Sequence, residues 1–363
     1  MDNKNLYVDI NILQTVPSSN INRDDTGAPK TAIYGGIIRS RVSSQSWKRA
    51  VRQAFAQESN NATWLDGIRT LYGPQLLADE IQKIDENISE EGAIDKAQEV
   101  FQEARIKIDK KKHQTKALLM LSNGQIEKLA KYVIDNSDID SKAVKKVLQN
   151  DNSLDLALFG RMVAGDSALN VDASCQVAHA ISTHEVTPEF DYYAAVDDKR
   201  PEDTAGSAML GTIEYNSSTL YRYANVNVNE LVHNLGNSEV ALQGLNLFIK
   251  DFTMSMPSGH QNSFANKTVP NYVMVTLRTD TPVNLVSAFE DPVKSRDGFV
   301  QSSITKLEKE YSDTQKFVDA PLATYVLTTN KSVLNSQVNS LNELTQKISA
   351  YLKTRLVNEN TDN

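Results

Sequence analysis

Three observations predict an α+β fold. Short runs rich in β-branched residues alternate apolar and polar positions and recur from the N-terminus to residue 277. Amphipathic helices follow several of these runs. Between residues 58 and 149 strand patterning gives way to apolar residues spaced three and four apart. With 363 residues, 40% hydrophobic and 23% charged, the chain can bury a sizeable core, as two domains or as one core with insertions.

The elements follow in order. Residues 6–13, LYVDINIL, form a first strand with Leu6, Val8, Ile10 and Ile12 opposite Tyr7, Asp9, Asn11 and Leu13. A polar loop then leads to Gly35-Gly36, a turn or a close backbone approach. In the strand 37–42, Arg39 and Arg41 share one face and Ile38 and Val42 the other. Ser43 or Ser44 caps a helix that carries Trp47, Val51, Ala54 and Phe55.

Within 58–149 the spacing of Leu118, Leu119, Leu121, Ile126, Leu129 and Val133, and then of Val144, Val147 and Leu148, predicts an insertion of several short helices. The run Lys110 to Lys112 reads there as a solvated helix end, the alternative being a contact with nucleic acid. Strand patterning returns at 154–159, ending in Gly160-Arg161-Met162, and at 173–182. In the latter, Cys175, Val177, His179 and Ile181 form one face. Ser174, Gln176, Ala178, Ala180 and Ser182 form a small polar face on which an extended ligand can lie close to the backbone.

Residues 183–220 read as a protruding hairpin with Asp197-Asp198-Lys199-Arg200 near its tip and Tyr192-Tyr193 at its base. The two tyrosines either stack on bases or pack the hairpin onto the core. A strand at 221–228, a helix at 240–254, a polar loop at 256–270 and a strand at 272–277 come next. An amphipathic C-terminal helix with Leu334, Val338, Leu341, Ile348 and Leu352 completes the chain. This order suggests a ferredoxin-like core of the kind seen in RNA-recognition domains.

Charge locates a candidate site. The formal net charge is −8, yet residues 22–53 hold seven basic side chains, Arg23, Lys30, Arg39, Arg41, Lys48, Arg49 and Arg52, against Asp24 and Asp25. The net of +5 is therefore local, the electrostatic footprint of a phosphate binder, while an acidic whole argues against indiscriminate coating of nucleic acid. The first turn of the helix after Ser43-Ser44-Gln45 offers free N–H groups to the same phosphate. The alternative is a capped helix with a solvated basic face.

Other classes find little support. No run approaches 18 apolar residues, so no transmembrane helix is expected, and the N-terminus lacks the basic start and apolar run of a signal peptide. A single cysteine, Cys175, precludes an intrachain disulfide and fits a reducing, cytoplasmic setting. Cys175, His179 and His184 supply too few ligands for zinc and read as a buried thiol beside a hydrogen-bonded histidine. Asp24-Asp25 read as a loop tied by ion pairs beside Arg23, the alternative being a Mg²⁺ site. Phosphate-loop, dinucleotide and nucleophile-elbow motifs are missing.

The blocks NRDD, AIYGG, R-x-R-V-SSQS-x-KRA, GRM, VAHAISTH, DYYAAVDD to GSAMLGT, and YRYANVN run in order through the first 300 or so residues. Together they resemble the backbone subunit of the subtype I-E CRISPR Cascade complex, the CasC-type protein of the RAMP superfamily. Residues 58–149, the hairpin tip and the C-terminal part match in general character only. The resemblance implies a hand: a palm from residues 1–57, 150–187 and 221–300, helical fingers at 58–149, a thumb at 188–220 and a C-terminal helical region at 301–363.

It also implies that copies stack in a helical filament along one CRISPR guide RNA, each thumb kinking the guide and flipping a base, the rest left free to pair with target DNA. Further implied partners are the large, small and guide-end Cascade subunits and, indirectly, a recruited nuclease-helicase; no membrane, cofactor, metal or catalysis is implied.

Carried over, Lys30, Arg41, Lys48, Arg49 and Arg52 with Ser43-Ser44-Gln45 fall where the family grips guide phosphates. Met162 of Gly160-Arg161-Met162, and Tyr193 with its neighbour Tyr192, fall around the displaced nucleotide. The loop Gly259, His260, Gln261 and Asn262 is a further RNA contact, and Arg23 and Arg39 complete the basic set. Ile37 departs from the family where a basic residue is natural, and Tyr192-Tyr193 stands where Trp-Phe occurs. Two competing readings are a RAMP-type ribonuclease using His179, His184 or Asp24/Asp25, and a protein-only scaffold with an acidic partner.

Overall fold

A computed structural model describes residues 5–58, 62, 64–163, 165–195 and 209–361. The fold is mixed α+β. The chain opens with β1 (Tyr7–Ser19), β2 (Thr31–Tyr34), β3 (Ile37–Val42) and α1 (Ser44–Glu58). An insertion follows: β4 (Gly67–Thr70), α2 (Gly73–Ile84), α3 (Glu90–Glu103), β5 (Ile108–Asp109), β6 (Gln114–Thr115), β7 (Leu119–Ser122), α4 (Asn123–Asp135) and α5 (Ser141–Gln149). The chain returns through α6 (Leu154–Phe159), β8 (Cys175–Val177) and β9 (Ala180–Ser182) to the paired β10 (Glu189–Ala195) and β11 (Met209–Asn227). It finishes with α7 (Val228–Leu235), α8 (Ser238–Met254), α9 (Gln261–Phe264), β12 (Tyr272–Arg278), α10 (Val300–Thr314), β13 (Ala323–Thr328), β14 (Gln337–Val338) and α11 (Leu341–Thr361).

One ten-stranded sheet organises the molecule, in the order β14-β13-β12-β1-β11-β9-β3-β2, with β8 and β10 also on β11. Its pairings are antiparallel except β13 with β14. The alternation read in β1 decides which side goes where. Val8, Ile10 and Ile12 meet Trp47 and Phe55 of α1, Phe248 and Phe252 of α8 and Ile348 of α11. Leu13 lies on the opposite side with Tyr221, Tyr272, Phe289 and Leu307. Asp9 and Asn11 share that second side and are buried because Tyr223 and Tyr221 hydroxyls bond them at 2.6 and 2.7 Å. A separate apolar core, including Leu77, Ile81, Phe101, Leu129 and Val133, lies under α2–α5.

Several expectations need correction. Residues 154–159 form a helix: six alternating residues cannot distinguish a strand from a fully buried helical turn, and Leu154 to Leu158 are all buried. Gly160, at φ 76°, ends it. The insertion is not purely helical. Leu119 and Leu121 stand in β7, which pairs with β4, and Lys110 to Lys112 occupy the turn between β5 and β6. The run 173–182 breaks into β8 and β9; the interruption shifts the phase by one, so Cys175 and Ala180 both reach the same core and the small polar face does not form. The hairpin's second arm and the run 221–228 are one strand, β11, from Met209 to Asn227. Leu334 and Val338 precede α11, Val338 in β14. The polar loop at 256–270 contains α9. The run Asp197 to Arg200 lies outside the described residues.

Candidate nucleic-acid interface

The strand-to-helix corner forms where the sequence places it. Alternation in β3 stops at Ser43, whose Oγ accepts the Ser46 amide at 3.4 Å and starts α1. The corner is tied to the preceding loop, since the Ser43 amide donates to Asn22 Oδ1 at 2.8 Å and the Arg41 amide to the Lys30 carbonyl at 2.9 Å.

Below the corner opens a cleft of about 660 Å³. One wall is the polar side of α1, with Gln45, Lys48, Arg49 and Arg52; the other holds Phe159, Gly160, Arg161 and Met162. Met162 is 84% exposed, an apolar side chain held out over a basic floor. Gly160 permits this turn: its φ is positive, and a Cβ there would lie 2.8 Å from the Val171 carbonyl oxygen. Lys48 sits with Nζ 5.2 Å from the Phe159 ring centre, a cation–π contact that leaves the ammonium facing the cleft. Arg52 is half committed. Its Nε lies 2.7 Å from buried Asp155, and its NH2 donates to the Gly67 carbonyl at 2.9 Å.

A second basic group lies on the other side of the corner. Arg41 donates Nε to the Thr31 carbonyl at 2.9 Å and has NH1 3.1 Å from His179 Nδ1. Partial burial, then Arg41 and Lys30, hold the His179 pKa below the usual imidazole value, so the ring is a neutral acceptor. Arg23 meets His260, NH1 to Nε2 at 2.9 Å. The 259–262 loop reaches Arg23 because Gly259 packs flat on the chain: a Cβ there would stand 2.4 Å from the Ile21 carbonyl oxygen. Gln261 and Asn262 are exposed in the first turn of α9, whose Phe264 ring lies 5.8 Å from Tyr215 at the hairpin base. Asp24 makes no ion pair with Arg23. Its Oδ1 instead accepts from the Thr26 amide and hydroxyl and the Ala28 amide, folding the loop on itself.

Two arginines leave the candidate set. Arg39 is fully buried, its guanidinium donating to the carbonyls of Tyr34, Ser182 and Phe289. Arg161, although it borders the cleft, is 7% exposed and donates to the Leu169, Met120 and Leu148 carbonyls and to Gln125 Oε1. Each carries three or more bonds that no phosphate can take over. Both are struts.

On the hairpin, Tyr192 and Tyr193 take opposite faces, Tyr192 paired with Thr212 and Tyr193 with Gly211. The Tyr193 ring lies across Gly211, where a Cβ would meet its hydroxyl at 2.3 Å. Tyr192, at 66% exposed, shares its face with Phe190 and Leu210. Neither tyrosine joins an apolar core.

Comparison with known proteins places this geometry. A family model described as CT1975-like protein matches residues 8–353. The chain belongs to the CT1975-like family. Among solved structures, a chain of a "CRISPR RNA-guided surveillance complex, pre-nicking" is 29% identical, with a TM-score of 0.83, over 95% of this chain and 99% of that one. A chain of a "CRISPR RNA-guided surveillance complex" is 26% identical, with a TM-score of 0.74, over the same shares. No curated protein matches.

In this CT1975-like chain the cleft recruits residues that sequence reasoning missed. Arg69, on β4, is exposed within it, and Leu118, 54% exposed, and Met120 line it from the β7 side. They come from the insertion, about 10 and 60 residues past the end of α1 in sequence, and only the β4–β7 pairing, Arg69 opposite Met120, brings them to the corner. A lone arginine in LDGIRTLYG carries no signal of that.

The groups weighed for catalysis are placed differently. His184 is buried, stacked on Phe299 at 3.7 Å, with Nδ1 donating to the Glu185 carbonyl and Nε2 accepting the Thr219 amide. Both its nitrogens are therefore used. Burial pushes the Cys175 thiol up to about 12, so the thiolate is suppressed. Among the described residues no group of three or more His, Cys, Asp or Glu side chains is placed to hold a metal ion. No helix among them is long and apolar enough to cross a membrane.

Proposed function

We propose that this chain is a non-catalytic CRISPR RNA-binding backbone subunit of a subtype I-E Cascade complex, several copies of which polymerise along one guide. The observation that carries the reading is the cleft. Lys48, Arg49 and Arg69 supply phosphate-binding charge beside an amide-rich helix start, and Met162 stands over them as an apolar wedge. These groups bind a backbone and read no base edge, as a subunit that serves any guide requires. The hairpin with Tyr192 and Tyr193 acts as the thumb, and the basic group of Lys30, Arg41, Arg23 and His260 extends the guide path past the corner. The target strand is met through pairing with the guide, and the large, small and guide-end subunits complete the particle.

The test is co-expression with a CRISPR array and the sister subunits, followed by purification and sequencing of bound RNA. Repeat-flanked guide in a large multi-copy particle is expected. Lys48→Glu with Arg49→Glu removes it while the thermal midpoint stays within a few degrees. Wild-type protein free of RNA, or RNA retained by the double variant, overturns the reading. Arg52 is avoided because its reversal would strand buried Asp155.

A further inference from the structure

Between α3 and β7 the chain makes a small two-stranded ribbon, Ile108 opposite Thr115 and Asp109 opposite Gln114. Lys107, Lys110, Lys111, Lys112 and Lys116 project from it, all exposed, in a chain of net charge −8. Among the described residues none of the five lysines enters a salt bridge, whereas the nearby Arg105 lies in the field of Asp166, itself paired with Lys145. Asp109, the one acid in the segment, uses its Oδ1 on the backbone amides of Lys111 and Lys112, at 3.2 and 3.3 Å.

The turn is braced from beneath. Gln98, 5% exposed on α3, donates Nε2 to the Lys110 carbonyl at 3.2 Å and lies 2.6 Å from His113 Nδ1. The lysines are thus presented by a fixed backbone and not by a loose loop. Position adds meaning. The Thr115 amide donates to the Leu71 carbonyl at 2.7 Å, two residues past Arg69 of the cleft, and Leu118 of the cleft lies two residues past Lys116. The ribbon is therefore joined to the β4–β7 side of the cleft, and its five lysines are exposed beside it.

The side-chain chemistry selects the ligand. A single strand is held by cations interleaved with stacking surfaces. The ribbon has cations alone: it holds no aromatic residue except half-buried His113, and Ile108 is half-buried. Lysines are compact, sequence-blind point charges suited to the phosphate rails of a double helix. We propose that the 107–116 ribbon is a second nucleic-acid site, which docks duplex DNA by its backbone beside the guide-bearing cleft.

This inference rests on the reading of the cleft above, and the experiment separates the two. The complex is assembled with wild-type chain and with Lys110→Gln, Lys111→Gln and Lys112→Gln combined. Guide RNA that co-purifies is quantified, and binding of a DNA duplex unrelated to the guide, and of one of its single strands, is titrated by anisotropy at several salt concentrations. Expected are an unchanged guide load, duplex affinity lowered about tenfold or more at low salt, and a salt slope shallower by about 2–3, at about 0.9 for each phosphate no longer neutralised. Single-strand binding changes less. Unchanged duplex affinity and slope, an equal loss for the single strand, or loss of guide with duplex binding intact overturns the proposal. If the wild-type chain carries no guide, the cleft reading fails, and the duplex titration on the same protein still decides the ribbon.

Discussion

At the scale of single residues, the chain spends several arginines on carbonyl groups. Arg222 is the deepest: its guanidinium lies between Trp47, 3.8 Å away, and Phe252, and it bonds Gln14 and the Phe252 carbonyl. Arg161 is the informative one, because it adjoins Met162 in sequence and borders the same cleft. Arg161→Met removes the arginine's bonds to three carbonyls and a glutamine oxygen, of which the Leu148 carbonyl keeps Gln125 Nε2 and Gln125 Oε1 keeps the Ser122 amide, and is expected to cost about 3 kcal/mol, read as a lowered urea midpoint. Met162→Ala, by contrast, leaves that midpoint within about 0.5 kcal/mol of wild type. From sequence, Arg39 and Arg41 are indistinguishable members of one strand face. What separates them is Ser182 and Phe289, brought against Arg39 from more than 140 residues away.

Two buried aspartates contribute to the response to pH. Burial raises the Asp9 carboxyl to about 6, against the lowering hydrogen bonds from Tyr223 and Val283, and raises Asp251, one of whose oxygens has no partner, to about 7. A folded chain that holds protons an unfolded chain has released loses stability as pH rises. This contribution is complete below about pH 4 and lost by about pH 7. Asp251→Asn is accordingly expected to raise the urea midpoint at pH 8, leave it nearly unchanged at pH 4, and flatten the slope between. A variant less stable than wild type at pH 8 would contradict this.

At the scale of elements, legibility followed the length and one-sidedness of the pattern. β3 appears with the bounds its alternation predicts, and α1 begins beside the cap candidates, because Ser43 ends one period and starts the other. β4 and β7 are four residues each, and all four of β7 are buried, so period two is invisible and the apolar residues pass for a helix. The β4–β7 side of the cleft, with Arg69, Leu118 and Met120, was hidden for the same reason. The turn between β2 and β3 shows what Gly35-Gly36 is for: a Cβ on Gly35, at φ 61°, would fall 1.8 Å from the Glu290 carbonyl oxygen. Gly35→Ala is expected to lower the thermal midpoint by several degrees by prising the β2–β3 turn from the 285–290 segment, whereas Gly36→Ala, with open space around its Cβ, costs only its positive φ.

At the scale of the whole molecule, the hairpin is separable from stability. All seven residues of β10 are exposed and outside the apolar cores. Replacing residues 190–214 with Asn-Gly, which joins Glu189 to its cross-strand partner Tyr215, is expected to leave the melting temperature within a few degrees and to abolish the multi-copy particle. A particle that still forms would show that the hairpin is dispensable for assembly. The insertion, with its own core under α2–α5, is likewise a body in itself, and composition reveals it better than it reveals that body's internal pairing.

β11 carries one consequence further. Its 19 residues span roughly 60 Å at about 3.3 Å per residue. Its last dozen are locked beside β1, from Asn216 to Asn227, and its first seven extend into the hairpin with β10 as their strand partner. The hairpin is therefore a cantilever built into a wall and not a flap on a hinge. The course of its two described arms is machined into the sheet, and deflecting them means bending that sheet. In the filament proposed above, the interval between neighbouring hairpins would be a gauge length cut in protein, and a flexible polynucleotide laid along the row would take its spacing from that gauge.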